Sequence, residues 1–102
     1  MRRGEIWWGE APEHGRRPYL VITRDRSISV LNKLIVVPAT RNARDIATQV
    51  PLDVEDGVPY PCALAFDNIT TIRKALLTEP IAMLGPAKLH GLCKALAIAV
   101  DC

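Results

Sequence analysis

The sequence is poor in the residues from which metal sites, disulfide frameworks and nucleotide-binding loops are built. Its three cysteines include no Cys-x-x-Cys pair, and its two histidines, His14 and His90, stand in unrelated segments. Neither a zinc pattern nor a disulfide framework is therefore indicated. The six glycines form no phosphate-binding fingerprint. The sequence predicts no metal ion and no cofactor.

Long hydrophobic runs are also absent. The longest apolar run near the C-terminus, ALAIAV, is far shorter than the roughly 20 residues that a membrane-spanning helix needs. The opening segment, MRRGEIWWGE, lacks the apolar region of a secretory signal peptide. We therefore expect a protein of the cytoplasm that makes no contact with a membrane.

The composition is that of one small folded domain, which we expect to span residues 1–102. Apolar residues make up 49% of the chain and the mean hydropathy is +0.11, which excludes a disordered tail. Charge is unevenly distributed: residues 1–44 hold nine Arg and Lys against four Asp and Glu, whereas residues 45–102 hold four against seven. An Arg-rich basic half suits a phosphate-bearing partner, although an ordinary solvated surface has the same composition.

The pattern of apolar residues predicts a mainly β fold that ends in an α-helix. β-branched and alternating segments predict strands at 4–11, 19–24, 33–40, 46–53 and 62–72, with Pro51 marking an edge strand. Turn signals fill most of the gaps between them, and residues 73–84 read as a helical turn followed by a strand. A stripe of apolar residues predicts a helix over 86–100. Strands that follow one another without intervening helices favour a small antiparallel barrel or a bent sheet capped by this helix.

Polar side chains gather at the predicted strand ends. They are Arg16, Arg17, Arg24, Thr40, Arg41, Asp67 and Asn68. In metal-free RNA cleavage the substrate supplies its own 2′-hydroxyl nucleophile, so the protein must position the phosphate and stabilise the dianionic phosphorane. An arginine and a threonine hydroxyl suit that task. Ordinary solvated strand ends have the same residues, however, and His14, in a predicted loop, is a further candidate for contact with a substrate.

Four segments and the helix, taken in order, carry a resemblance to a known family. The segments are RRGEIWW, GRRPYLVIT, LIVVPAT and AFDNITTI, and together with the C-terminal helix they cover nearly the whole chain. This succession resembles the MazF (PemK, Kid) family of toxin-antitoxin endoribonucleases. The resemblance implies the Src homology 3-like barrel fold that MazF and Kid share with the plasmid toxin CcdB, assembled as a homodimer in the bacterial cytoplasm.

The resemblance also implies an activity and its partners. The activity is sequence-specific, metal-independent cleavage of single-stranded RNA, which leaves a 2′,3′-cyclic phosphate or 3′-phosphate and a 5′-hydroxyl and stops translation and growth. A cognate MazE-like antitoxin would neutralise the toxin, and DNA would be bound only through the antitoxin complex.

The family's site residues carry over by position in its motifs. The catalytic Arg directly precedes the proline of the second strand and is Arg17 here, with proton transfer and stabilisation of the phosphorane as its implied roles. The electrostatic role suits a permanently charged group better. The catalytic Thr closes the apolar strand and is Thr40, whose hydroxyl would donate to the scissile phosphate. The remaining RNA-binding residues are Arg16, Arg24 and Arg41 for the backbone, with Asn68 and its neighbour Asp67 near a base-reading site.

Two other functions remain open on the sequence. A non-enzymatic gyrase poison that resembles CcdB would act through an aromatic tip of the C-terminal helix, but this chain ends in IAVDC. A homologue that binds RNA or an acidic partner without cutting is the other alternative.

Overall fold

The computed structural model describes residues 1–12 and 15–99, and in them seven strands form one bent antiparallel sheet followed by a helix. The strands are β1 (Glu5–Ala11), β2 (Gly15–Val21), β3 (Lys33–Thr40), β4 (Gln49–Leu52), β5 (Cys62–Ala65), β6 (Thr70–Arg73) and β7 (Leu77–Met83). The helices are α1 (Asp25–Ile28) and α2 (Pro86–Ala99), and three single 3₁₀ turns lie at Val54–Asp56, Phe66–Asn68 and Lys74–Leu76.

The strand order confirms the predicted fold class. Along the sheet the order is β4-β5-β3-β2-β1-β7, with β6 also paired to β3, and every pairing is antiparallel. The path of pairings does not close, so the bent sheet, rather than a closed barrel, is the form observed. Two register shifts between β1 and β7 add to the bend, as β-bulges do.

The strand predicted at 62–72 is divided, and the division shapes the site. β5 and β6 lie one after the other along β3, so that Leu64 pairs with Ala39 and Thr70 with Val36. Between them the turn Phe66–Asn68 leaves the sheet opposite Pro38. Proline has no N–H to give to a ladder, and the interruption falls where it stands.

The two faces of the sheet bury separate cores. The helix-side core packs α2 on one face and is centred on Ile6, Leu20, Val37, Leu64, Phe66 and Leu92. The groove-side core fills the other face with Tyr19, Val21, Leu34, Val36, Ile72 and Leu77. Consecutive residues of β2 alternate between the two cores, as the pleat of a strand requires.

Several predicted boundaries are corrected. β2 begins at Gly15, not at residue 19, and therefore contains both Arg16 and Arg17. The predicted strand 46–53 is confined to Gln49–Leu52, and as the last strand in the order it confirms the edge position of Pro51. A one-turn helix interrupts the predicted connection 25–32, whereas the turn and strand predicted at 73–84 are confirmed.

Helix α2 confirms the C-terminal helix, with its apolar stripe shifted. It buries Leu92 and Ala95 against the sheet, while Cys93, which the stripe included, is exposed. The predicted last residue of the helix, Val100, lies outside the described residues. Within residues 1–12 and 15–99, no helix has the length and apolar character needed to cross a membrane.

Candidate active site

A groove of about 790 Å³ opens on the groove-side face of the sheet. Its walls come from the ends of β1 and β2, from β3, and from the turn and strand that follow β5. The lining residues are Ala11, Pro12, Arg17, Tyr19, Pro38, Asp67, Asn68, Ile69, Thr70, Thr71 and Ile72. Three of the predicted site residues, Arg17, Asp67 and Asn68, therefore share one groove.

The register of β2 on β3 puts the two predicted catalytic residues at neighbouring strand ends, although only Arg17 is among the residues that line the groove. Tyr19 pairs with Pro38, and continuing this antiparallel register by two residues on each strand sets Arg17 opposite Thr40. Residues two apart on a strand point to the same face, so both side chains lie on the face of the groove. Strand pairing thereby relates two residues that are 23 positions apart in sequence.

The Thr40 side chain is held by the backbone that follows it. The N–H of Asn42 donates a hydrogen bond to Thr40 Oγ1 at 3.1 Å. A hydroxyl that accepts a bond in this way keeps its own proton to donate. Thr40 is also half-buried. Its hydroxyl is therefore a positioned hydrogen-bond donor at the end of β3.

Tyr19, which the sequence suggests only as an aromatic ring that could stack on an RNA base, lines the groove. Its ring is 2% exposed and lies over Gly9, where a Cβ would stand only 2.6 Å from Tyr19 Cδ2. Burial raises the pKa of the Tyr19 hydroxyl, and the nearby charge of Arg17 opposes that rise. Glycine inside a predicted strand signals such close packing, and this is the signal that would have drawn attention to the pair. The buried ring is not available for stacking on a base.

Asp67 and Asn68 stand on the turn that interrupts the sheet, and both are exposed. The Thr48 hydroxyl donates a hydrogen bond to Asp67 Oδ2, which ties this turn to the segment before β4. The amide of Asn68 lies on the same groove wall as Thr70 and Thr71, two hydroxyl residues that the sequence analysis did not single out. This wall thus carries an amide, two hydroxyls and the Asp67 carboxylate in the same groove as the cationic Arg17.

Arg16 and Arg41, predicted as RNA contacts, belong by strand alternation to the opposite face. The Arg16 guanidinium lies 4.7 Å from the centre of the Trp8 ring, and that of Arg41 lies 3.7 Å from the centre of the Tyr60 ring. The two rings are themselves 6.4 Å apart. Arg16 also forms an exposed ion pair with Glu79 at 3.4 Å. We call Arg16, Trp8, Tyr60 and Arg41 the cation–aromatic row.

The remaining predicted contacts lie elsewhere. Arg24 is exposed beyond Val21, at the end of β2 remote from Arg17, and does not line the groove. His14 falls outside the described residues. In the part of the chain that the structure describes, no three His, Cys, Asp or Glu side chains cluster as metal ligands would.

Comparison with known proteins identifies the family of this chain and several relatives. A family model described as "PemK-like, MazF-like toxin of type II toxin-antitoxin system" matches residues 2–100. The chain belongs to this family of toxins. It is 39% identical over 103 residues to the probable endoribonuclease MazF2 of Mycobacterium tuberculosis, covering 100% of both chains. It is 37% identical over 101 residues to the probable endoribonuclease MazF5 of the same organism, covering 98% of this chain and 93% of the relative.

Solved structures agree with this placement. The Mycobacterium tuberculosis toxin MazF-mt6 superposes with a TM-score of 0.88 at 30% identity, over 95% of this chain and 96% of that one. A mycobacterial endoribonuclease in complex with its cognate antitoxin has the same TM-score at 24% identity, over 98% and 94% of the two chains. The second likeness shows the shared fold alone.

Proposed function

We propose that this protein is a metal-independent endoribonuclease that cuts single-stranded RNA, including messenger RNA, in the groove between Arg17 and Thr40. The observation that supports the proposal is the β2–β3 register, which ends at the Tyr19–Pro38 pair and, extended by two residues on each strand, puts Arg17 and Thr40 on one face. An arginine and a hydroxyl donor at one point form a clamp for a phosphate group. The family's toxin description and the endoribonuclease names of its relatives support the same function.

The mechanism follows from the charges that develop during cleavage. The 2′-oxygen of the RNA attacks the adjacent phosphorus, and the phosphorane that forms carries two negative charges. Arg17 stays protonated, so its fixed positive charge stabilises this state electrostatically, without transferring a proton. Thr40 donates a hydrogen bond to a phosphate oxygen, because its own oxygen already accepts from Asn42. The products are a 2′,3′-cyclic phosphate and a 5′-hydroxyl.

The partners follow from the family and from the surface. We propose a homodimer, since Val30, Leu31 and Ile35 are exposed apolar side chains within six residues of sequence. A MazE-like antitoxin is the partner expected for a toxin of a type II system, and DNA is bound only through that complex. We further propose that the protein acts in the bacterial cytoplasm, where its RNA substrate is found.

Cleavage of a long single-stranded RNA of mixed sequence, with EDTA present, tests the function. We expect the wild type to cut at discrete sites that chelation does not remove. Arg17→Ala and Thr40→Val remove the charge and the hydroxyl, and each should lower the rate by about 10²-fold or more, the usual loss for one oxyanion donor. Thr40→Ser, which keeps the hydroxyl, should retain most of the activity.

Arg26→Ala is the matched control, because Arg26 is exposed on α1 and lies outside the groove. It should cut at the wild-type rate. The proposal fails if the folded wild type leaves RNA intact, or if Arg17→Ala and Thr40→Val cut as the wild type does.

A further inference from the structure

The reaction needs a proton donor that the two predicted catalytic residues do not supply. When the bond from phosphorus to the 5′-oxygen breaks, the leaving alkoxide must be protonated. Arg17 is permanently charged and Thr40 is an aliphatic alcohol, so both donate hydrogen bonds without giving up a proton. Asp67 is an acceptor when ionised, and it already accepts a bond from Thr48.

One acidic O–H remains among the described residues that line the groove, and it belongs to Tyr19. Tyr19 stands two residues after Arg17 on β2, so the two side chains share a face, and it pairs across to Pro38, two residues before Thr40. Tyr19 therefore occupies the next position on the same face of the sheet after Arg17 and Thr40, the residues that would hold the phosphate. The positive charge of Arg17 opposes the rise in the pKa of the Tyr19 hydroxyl, in keeping with their places on one face of β2.

The packing around Tyr19 fixes its ring in one place. The ring is 2% exposed, and it lies directly over Gly9, which pairs with Arg17 across β1 and β2. Ile72 closes the same pocket, with its Cδ1 atom 3.2 Å from the position of a Cβ on Gly9. A side chain held by packing on several sides pays little entropy for orientation when the substrate binds, which is what a catalytic group requires.

We propose that Tyr19 is the general acid of the cleavage and delivers its phenolic proton to the leaving 5′-oxygen. The inference rests on the proposed function. The 2′-oxygen bonds to phosphorus, and the bond from phosphorus to the 5′-oxygen breaks. The departing 5′-oxygen takes up the Tyr19 proton. The proton of the 2′-hydroxyl passes to water, and water returns one proton to the Tyr19 phenolate, so the cycle closes without another reactant.

The acid strength of a phenol suits this step. A tyrosine hydroxyl has a pKa of about 10, far below that of the alcohol formed, so the transfer is downhill once the bond breaks. Burial raises the pKa of Tyr19 above its ordinary value, so the group is in its proton-carrying form throughout the neutral range. The acid is therefore present in the correct state at the pH at which a cellular toxin works.

The test uses a substrate whose leaving group needs no proton from the enzyme. Tyr19→Phe deletes only the hydroxyl, and it is assayed on two oligonucleotides that differ in one atom at the mapped cut site. One has the ordinary bridging 5′-oxygen and the other has sulfur there, which leaves as a stable thiolate. We expect Tyr19→Phe to cut the ordinary RNA about 10²-fold or more slowly than the wild type. The sulfur substrate should be cut by both proteins at nearly the same rate.

Arg17→Ala is the comparison variant, because the Arg17 charge stabilises the phosphorane whichever atom leaves. It should slow both substrates alike. Thermal unfolding of Tyr19→Phe establishes that the ring still fills its pocket.

Three results overturn the inference while leaving the nuclease itself intact. In the first, Tyr19→Phe cuts ordinary RNA at the wild-type rate. In the second, Tyr19→Phe is slowed equally on the ordinary and the sulfur substrate. In the third, the sulfur substrate restores the rate of His14→Ala but not that of Tyr19→Phe. A wild type that cuts neither substrate overturns the proposed function and this inference together.

Discussion

Replacing Gly9 with alanine tests whether the close packing of strand β1 against Tyr19 sets the shape of the groove. A Cβ at this position would lie 2.6 Å from Cδ2 and 2.7 Å from Cε2 of Tyr19, and 3.2 Å from Cδ1 of Ile72. Carbon atoms pack best at about 3.5–4.0 Å, so the Tyr19 ring must retreat by roughly 1 Å. The ring is buried on the sheet side, and the open side is the groove that it lines.

Gly9→Ala should lower both the free energy of unfolding and the rate of cleavage. Overpacking of this kind costs about 1–3 kcal/mol, and alanine recovers about 0.4–1 kcal/mol by restricting the unfolded chain. A net loss of about 1–2 kcal/mol lowers the melting temperature of a chain this small by about 5–15 °C. A displacement of about 1 Å beside a reacting group lowers the rate of cleavage by up to about 10²-fold. We therefore expect Gly9→Ala to be folded at room temperature but slow.

The assay combines a thermal melt with cleavage of RNA at a temperature where every variant is folded. Gly91→Ala is the control, since its added Cβ meets no atom within 4 Å outside the neighbouring helix backbone. In a helix this change should leave activity unchanged and raise stability slightly. In a Tyr19→Ala background, where the clashing ring is gone, Gly9→Ala should cost little stability. Wild-type melting and cleavage by Gly9→Ala would refute the reasoning, as would an undiminished cost in the Tyr19→Ala background.

Two further predictions concern the rest of the fold. In a Cys102→Ser variant a disulfide reagent should label one thiol per chain quickly. Cys93 is exposed, whereas burial raises the pKa of the Cys62 thiol and hides its sulfur. Two thiols that react equally fast would contradict this prediction. At the start of a 3₁₀ turn, Asp53 accepts a hydrogen bond from the N–H of Glu55 at 2.9 Å. Asp53→Ala should therefore lower the free energy of unfolding in urea by about 1 kcal/mol, and Asp53→Ser should lower it less. Equal urea midpoints for the wild type and the alanine variant would contradict this prediction.

Much of the fold follows from local sequence patterns, and the exceptions have identifiable causes. The antiparallel sheet and the C-terminal helix are both predicted from apolar periodicity. The early start of β2 is not, because the polar run Gly15–Arg17 has no apolar alternation and joins the sheet by backbone pairing with β1. The division of the strand 62–72 falls opposite Pro38 of the partner strand β3, which has no N–H for a ladder. Such a cause lies some thirty residues away and leaves no local trace.

The site is predictable to the extent that motif positions identify it. Arg17 and Thr40 come from family resemblance, and the register supplies a physical reason for their pairing that sequence spacing does not contain. The sequence suggests Tyr19 only as a ring that could stack on an RNA base, and its burial excludes that role. Its hydroxyl becomes part of a site only when the curvature of the sheet opens a groove beside it.

The two adjacent arginines show how strand alternation separates roles that the sequence places together. As neighbours on β2 they project to opposite faces, so only Arg17 faces the groove. Arg16 instead lies on Trp8 in the cation–aromatic row, where Arg41 lies on Tyr60. An exposed guanidinium that contacts a ring keeps N–H groups for a phosphate, although Arg16 shares its own with Glu79. A strand of RNA that crosses the edge of the sheet would thus meet the clamp on one face and this row on the other, and Arg16→Ala should weaken binding of long RNA more than cleavage of a short one.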